Sequence, residues 1–113
     1  MAEKDLLSVE DRVGLLVAAL AEEKDAPPLI KFFTPDGNAT WLISEADPDE
    51  PDKLYGLCDL GLGTPELGYV SLAELTALRG MLGLPIERDL HFVADKPLSA
   101  YAEEARLKGR IVA

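Results

Sequence analysis

Val9, Val13, Leu16, Val17 and Leu20 recur at three- and four-residue intervals, which predicts an amphipathic helix with one apolar stripe. Ser8 stands at its start with Glu10 and Asp11 in the first turn, a capping arrangement, and Asp25, Pro27 and Pro28 stop it. The pattern then shortens to strand-like runs. Leu29 to Thr34 and Thr40 to Glu45 flank the turn Pro35-Asp36-Gly37-Asn38 and predict a β-hairpin. Lys53 to Leu60 and Leu67 to Ser71 read as two more strands across Gly61-Leu62-Gly63-Thr64-Pro65. Such short connections favour an antiparallel meander, because parallel pairing needs a longer crossover. Ser71 and Glu74 form an S-x-x-E capping signal ahead of a short helix through Leu72, Leu75 and Leu78, with Gly80 at its end. Leu90 to Val93 suits a last strand, and Ser99 to Lys108 a third helix closed by Gly109.

These elements predict one α+β domain: an antiparallel sheet of four or five strands with two or three helices on one face. Three parts are expected: residues 1–27 with the N-terminal helix, a core over 28–101, and a C-terminal helix and tail over 102–113. The stripe of residues 9–20 is expected to pack on the sheet, since an isolated helix of this length is marginal. Trp41, Tyr55 and Tyr69 are expected to form a cross-strand aromatic group, the alternative being that Trp41 and Tyr69 are exposed and bind a partner. The apolar loop Met81 to Leu84 is expected either to plug one end of the sheet or to serve as a docking surface, the plug being favoured.

Charge changes the picture in one place. Between Asp36 and Glu74 lie nine acids against one base, Lys53, a balance of −8 within a whole-chain charge of −10. Such a field repels nucleic acid and attracts basic surfaces, so it points to a partner more than to a reaction. With 48 % hydrophobic and 28 % charged residues the 113-residue chain has the composition of a folded domain. The longest apolar run, Val13 to Ala21, is too short for a bilayer, and nothing reads as a secretory signal. The single cysteine, Cys58, excludes an internal disulfide and is consistent with a reducing compartment. A cytoplasmic location is the resulting expectation.

Four strings then suggest a family. Leu29-Ile30-Lys31-Phe32-Phe33-Thr34-Pro35-Asp36-Gly37, Thr40-Trp41, Glu66-Leu67-Gly68-Tyr69-Val70-Ser71-Leu72 and Leu84-Pro85-Ile86-Glu87-Arg88-Asp89-Leu90-His91-Phe92 resemble the bacterial family named domain of unknown function 2958. The resemblance covers roughly residues 29–101 and leaves the N-terminal helix outside. It implies a setting on plasmids, phages and other mobile elements, near antirestriction or replication genes. It carries no catalytic residue with it.

The candidate chemistry is sparse. His91 is the only side chain expected to titrate near neutrality, and it sits beside Glu87, Arg88 and Asp89. It could act as a general base oriented by Asp89 or Glu87; equally, two strand residues two apart share a face and simply pair. Cys58 lies in an apolar strand as a small hydrophobe, its thiolate disfavoured by Asp59, although a Cys58–His91 nucleophilic pair is conceivable. The loop Asp47-Pro48-Asp49-Glu50-Pro51-Asp52 lacks the EF-hand pattern and reads as solvated, so no metal is expected. Gly61-x-Gly63 lacks the third glycine of a nucleotide fingerprint and leads into a strand; it is a turn. No zinc spacing, P-loop or serine-hydrolase elbow occurs, and no cofactor is expected.

The leading expectation is a small acidic, non-enzymatic accessory protein of a mobile element that binds a protein with a basic surface. Its contact residues would be Glu45, Asp47, Asp49, Glu50, Asp52 and Asp59, on one coherent face. Its sharper form is a nucleic-acid mimic directed at a host defence or DNA-processing protein. The alternative is a small enzyme using His91. Neither direct nucleic-acid binding nor a membrane is expected.

Overall fold

The computed structural model describes residues 5–22 and 24–113; the first four residues and position 23 of the expected N-terminal part lie outside the described residues. Helix α1 spans Val9–Leu20 and begins at a full capping box. Ser8 Oγ accepts the Asp11 N–H at 3.1 Å, and the Asp11 carboxylate accepts the Ser8 N–H at 2.8 Å. Four strands follow as the expected meander: β1 (Ile30–Phe33), β2 (Thr40–Ala46), β3 (Lys53–Asp59) and β4 (Glu66–Ser71). Helix α2 (Leu72–Ala77) starts where β4 stops, with Ser71 Oγ accepting the Glu74 N–H. A two-residue strand, β5 (Glu87–Arg88), pairs antiparallel with β1, and α3 (Leu98–Lys108) completes the chain order. The five-stranded sheet runs β4-β3-β2-β1-β5.

The helices do not share one face. Leu15 of α1 and Leu72 and Leu75 of α2 join Phe32, Trp41, Ile43 and Leu54 in one core. Leu98, Tyr101 and Ala105 of α3 join Leu42 and Leu57 in a second core on the other face. The alternation Trp41-Leu42-Ile43 makes this possible, since successive strand residues point to opposite sides. Strict alternation would next drive Glu45 into the first core. A bulge between Ile43 and Glu45 prevents it: the register skips Ser44, so Glu45 falls opposite Tyr55 and Ala46 opposite Leu54. In β3, a Cβ on Gly56 would lie 2.0 Å from the Leu42 carbonyl oxygen, so only glycine permits this approach of β2.

Helix α1 is turned away from the predicted stripe. Leu15 is fully buried, whereas Val9 is 72 % exposed and Val13, Val17 and Leu20 also face water. The inner face carries Leu15 with the partly buried Asp11, Gly14, Leu16 and Ala18; of the predicted stripe Leu16 does pack against the first core, and Gly14 approaches Leu29. Leu6 and Leu7, buried just before the cap, fix this rotation. Periodicity alone weighs valines above small residues, and close packing reverses that ranking.

Three further expectations are corrected. Leu90 to Val93 forms no strand: the Asp89 carboxylate accepts the His91 N–H at 2.9 Å and turns the chain after β5. Trp41 is buried in the first core, on the opposite face from the Tyr55–Tyr69 pair, so the aromatic group has two members. The Met81–Leu84 loop is no plug; Met81 is 95 % exposed. Asp36, in the β1–β2 turn, holds that loop, its Oδ2 accepting N–H groups of Leu82 at 2.7 Å and Leu84 at 3.3 Å. A Cβ on Gly80 would collide with this carboxylate at 1.6 Å.

The rotation of α1 is directly testable by chemical denaturation. Leu15→Ala is expected to cost about 2–5 kcal/mol of stability, as for other fully buried leucines. Val13→Gln and Val17→Gln are expected to stay within about 0.5 kcal/mol of the parent. The reverse ranking would restore the valine stripe to the core.

Candidate functional site

The four residues around His91 do not converge. Glu87 and Arg88 occupy consecutive positions in β5, opposite Phe33 and Phe32, and therefore point to opposite faces. Arg88 reaches Asp11 of α1, forming an ion pair that ties the first helix to the edge of the sheet. Burial alone would raise the Asp11 carboxyl, but hydrogen bonds from the Ser8 backbone, Arg88 and the Ser8 hydroxyl, with the Arg88 charge, hold it below its ordinary 3.8. Asp89 accepts the His91 N–H and lies 3.8 Å from Lys31 Nζ. His91 itself is exposed in the turn. Its expected side-chain pairing with Asp89 is replaced by this backbone bond.

The conceivable Cys58–His91 pair is not formed. Strand β5 is three strand positions from β3, about 14 Å at ~4.8 Å per strand. Burial pushes the thiol up to about 11, and the cross-strand carboxylate of Glu66 adds to the shift. Asp59, the acid expected to act on it, points to the other face.

The acidic run divides between opposite ends of the sheet. The Asp47–Asp52 loop joins β2 to β3 at the end where β4 meets α2; Asp36, Asp59 and Glu66 belong to the other end, a strand length away. One coherent face is not formed. Asp59 in particular is 2 % exposed, its carboxylate accepting the N–H groups of Gly61 at 2.8 Å and Ile111 at 3.0 Å. It fastens the segment after α3 to the sheet and is not available to a partner. Glu45 is half-buried beside the bulge. Asp47 is half-buried and accepts the Asp49 N–H.

Asp49, Glu50 and Asp52 remain exposed; Asp49 lies outside any groove, whereas the fold adds to Glu50 and Asp52. With Tyr69, Ser71 and Glu74 they line an open groove of about 640 Å³ where the β2–β3 loop meets β4 and α2. Asp52 also holds α2 in place, accepting the Ser71 hydroxyl at 2.9 Å and the Ala73 N–H at 3.4 Å. Tyr69 is 56 % exposed; its ring lies 5.0 Å from that of Tyr55, and Lys53 Nζ sits 4.6 Å above it. The groove thus combines three carboxylates with an aromatic face already in contact with an ammonium group. That chemistry suits lysine or arginine side chains. Sequence reasoning missed the contribution of Glu74, which the S-x-x-E pattern assigns to capping alone. Among the described residues no group of three or more His, Cys, Asp or Glu converges to hold a metal ion.

A second cleft, about 620 Å³, lies at the opposite end between Lys31, Thr40, Asp59 and Arg110. Lys31 is already engaged there, donating to the Ala113 backbone oxygen at 2.7 Å. No helix among the described residues is long and apolar enough to cross a membrane.

Two outcomes separate structural from functional roles around β5. His91→Ala should leave stability within about 0.5 kcal/mol, because the side chain is exposed; Arg88→Ala should cost about 1–3 kcal/mol by leaving Asp11 without its partner. Because the folded-state value of Asp11 is depressed below 3.8, its contribution is complete above that value and is lost as pH falls through the folded value. Asp11→Asn should therefore flatten the stability profile below about pH 4, as read by urea denaturation across pH.

No curated protein and no solved structure matches the chain. The family described as "Protein of unknown function (DUF2958)" matches residues 6–112, and the chain belongs to it. The match includes α1, which the resemblance read from the sequence had left outside.

Proposed function

We propose that this member of the DUF2958 family is a cytoplasmic, non-enzymatic accessory protein that binds a basic segment of another protein. The observation that carries the reading is the groove of Glu50, Asp52, Glu74 and the exposed Tyr69. An exposed aromatic beside exposed carboxylates is an anchor of the kind that dominates binding energy. A net charge of −10 adds long-range attraction for a basic partner. The mobile-element setting is the one the family resemblance implies. Because the acids split between two ends of the sheet, the reading favours a local groove over an extended mimic of nucleic acid. The reading of His91 as the centre of an enzyme draws no support from the dispersal of Glu87, Arg88 and Asp89.

Capture of partners from a bacterial host, with the captured protein then titrated in isolation, tests this reading. Tyr69→Ala combined with Glu50→Gln and Glu74→Gln should weaken binding by roughly tenfold or more, equivalent to about 1.4 kcal/mol. Asp47→Asn with Asp49→Asn, outside the groove, should leave it nearly unchanged. Binding should also weaken with added salt, since exposed charges are screened beyond about 8 Å at physiological ionic strength. Binding indifferent to the groove variants and to salt would contradict the proposal.

A further inference from the structure

The sheet has one long open edge. β4 pairs only with β3, and among the described residues no backbone bond from Glu66–Ser71 goes to any other segment. Alternate residues of β4 therefore present N–H and C=O groups outward, a ready template for another strand. The opposite edge, β5, offers only two residues. Of the devices that usually blunt an edge, β4 has a single charge, Glu66 at its start, and no lysine, proline or bulge. Among the described residues nothing covers it either: Leu67 and Tyr69 are exposed, and a Cβ on Gly68 would meet no atom within 4 Å.

The two faces of this edge differ in chemistry. The register places Glu66 opposite Cys58 and Val70 opposite Leu54, on the face of the first core, where α2 and Glu74 also lie. Leu67 and Tyr69 stand opposite Leu57 and Tyr55 on the other face. One side of the edge carries Glu66 at the start of β4 and Glu74 of α2 beyond its end, with Gly68 and Val70 between, and the other is apolar and aromatic. The strand is about 17 Å long at ~3.4 Å per residue.

We infer that the free edge of β4 receives an extended segment of the partner protein as a sixth strand, with alternating basic and apolar side chains. Its basic residues lie on the side of Glu66 and Glu74, and its apolar residues lie against Leu67 and Tyr69. Main-chain hydrogen bonds hold such a strand and the alternating side chains select it. A second copy of this chain is the less fitting occupant, because it would bring another charge of −10 to the same edge. The inference rests on the Tyr69 face being a protein-binding surface and adds how the partner is held.

The test uses the intact protein and an eight-residue peptide of alternating lysine and valine, blocked at both ends. Two further versions are N-methylated on one or the other alternate set of residues. Binding of the parent peptide should slow exchange of alternate β4 amides by roughly tenfold or more, as read by NMR. One N-methylated version should lose at least about tenfold in affinity and the other should keep it, because only one set of amides faces the edge. No binding, or equal binding of all three peptides without β4 protection, overturns the inference. In that last case Glu50→Gln with Glu74→Gln separates the two claims: weaker peptide binding keeps the groove as a basic-segment site, and unchanged binding removes that reading too. A protein that alone sediments as a dimer with its β4 amides protected would place a second copy on the edge and overturn the inference as well.

Discussion

The structure depends on burying the central strand pair, β2 and β3, on both faces at once. Trp41, Ile43 and Leu54 face one core, and Leu42 and Leu57 the other. Two local features make this compatible with the sequence. The bulge after Ile43 turns Glu45 out of the first core, and the absence of a side chain at Gly56 admits the Leu42 carbonyl. Apolar burial at about 25 cal/mol per Å² makes these inner strands the stable part of the molecule. The helices cover the centre of the sheet, and β4 is left at the rim with both faces largely open.

Around that centre, carboxylates work as fasteners. Asp11 joins the α1 cap to Arg88, Asp36 holds the Met81–Leu84 loop, Asp52 supports the start of α2, and Asp59 ties down Ile111. Asp25 accepts the Ser99 N–H at the start of α3, a helix whose own N-cap, Pro97, supplies no side-chain bond. Bonds from the Ser99 hydroxyl and backbone keep the Asp25 carboxyl below its ordinary range. Each of these aspartates accepts a backbone N–H, and most join segments far apart in sequence. Much of the acidity is therefore structural, and only the Glu50–Asp52 and Glu74 portion converges with an exposed aromatic ring.

The first four strands, the helix starts at Ser8 and Ser71, and the stop at Gly109 were legible because each is written in local chemistry: alternation, turn residues and caps. The rotation of α1 was not, since the valines at 9, 13 and 17 make the stronger periodic signal while Leu15, which lies off their stripe, is the residue the fold buries. Two-sided burial of the sheet was hidden because Trp41-Leu42-Ile43 reads only as an apolar run, which does not say what covers each side. The division of the acids between two ends follows from antiparallel strand direction, which sends Asp59 away from the Asp47–Asp52 loop. Glu74 was visible as a capping residue, but its place in a groove depends on the meeting of the β2–β3 loop, β4 and α2, which only tertiary structure determines.

Residue-resolved amide exchange of the unliganded protein tests most directly whether the sheet is closed at its centre and open at β4. Amides of the central strands β2 and β3, each flanked by a strand on both sides, such as those of Leu42, Ile43 and Leu57, should exchange only through global unfolding. Alternate amides between Glu66 and Ser71 should exchange at least about a hundredfold faster, near the rate of exposed backbone. Uniform slow exchange across β4 would mean that its edge is already occupied, and would contradict the account.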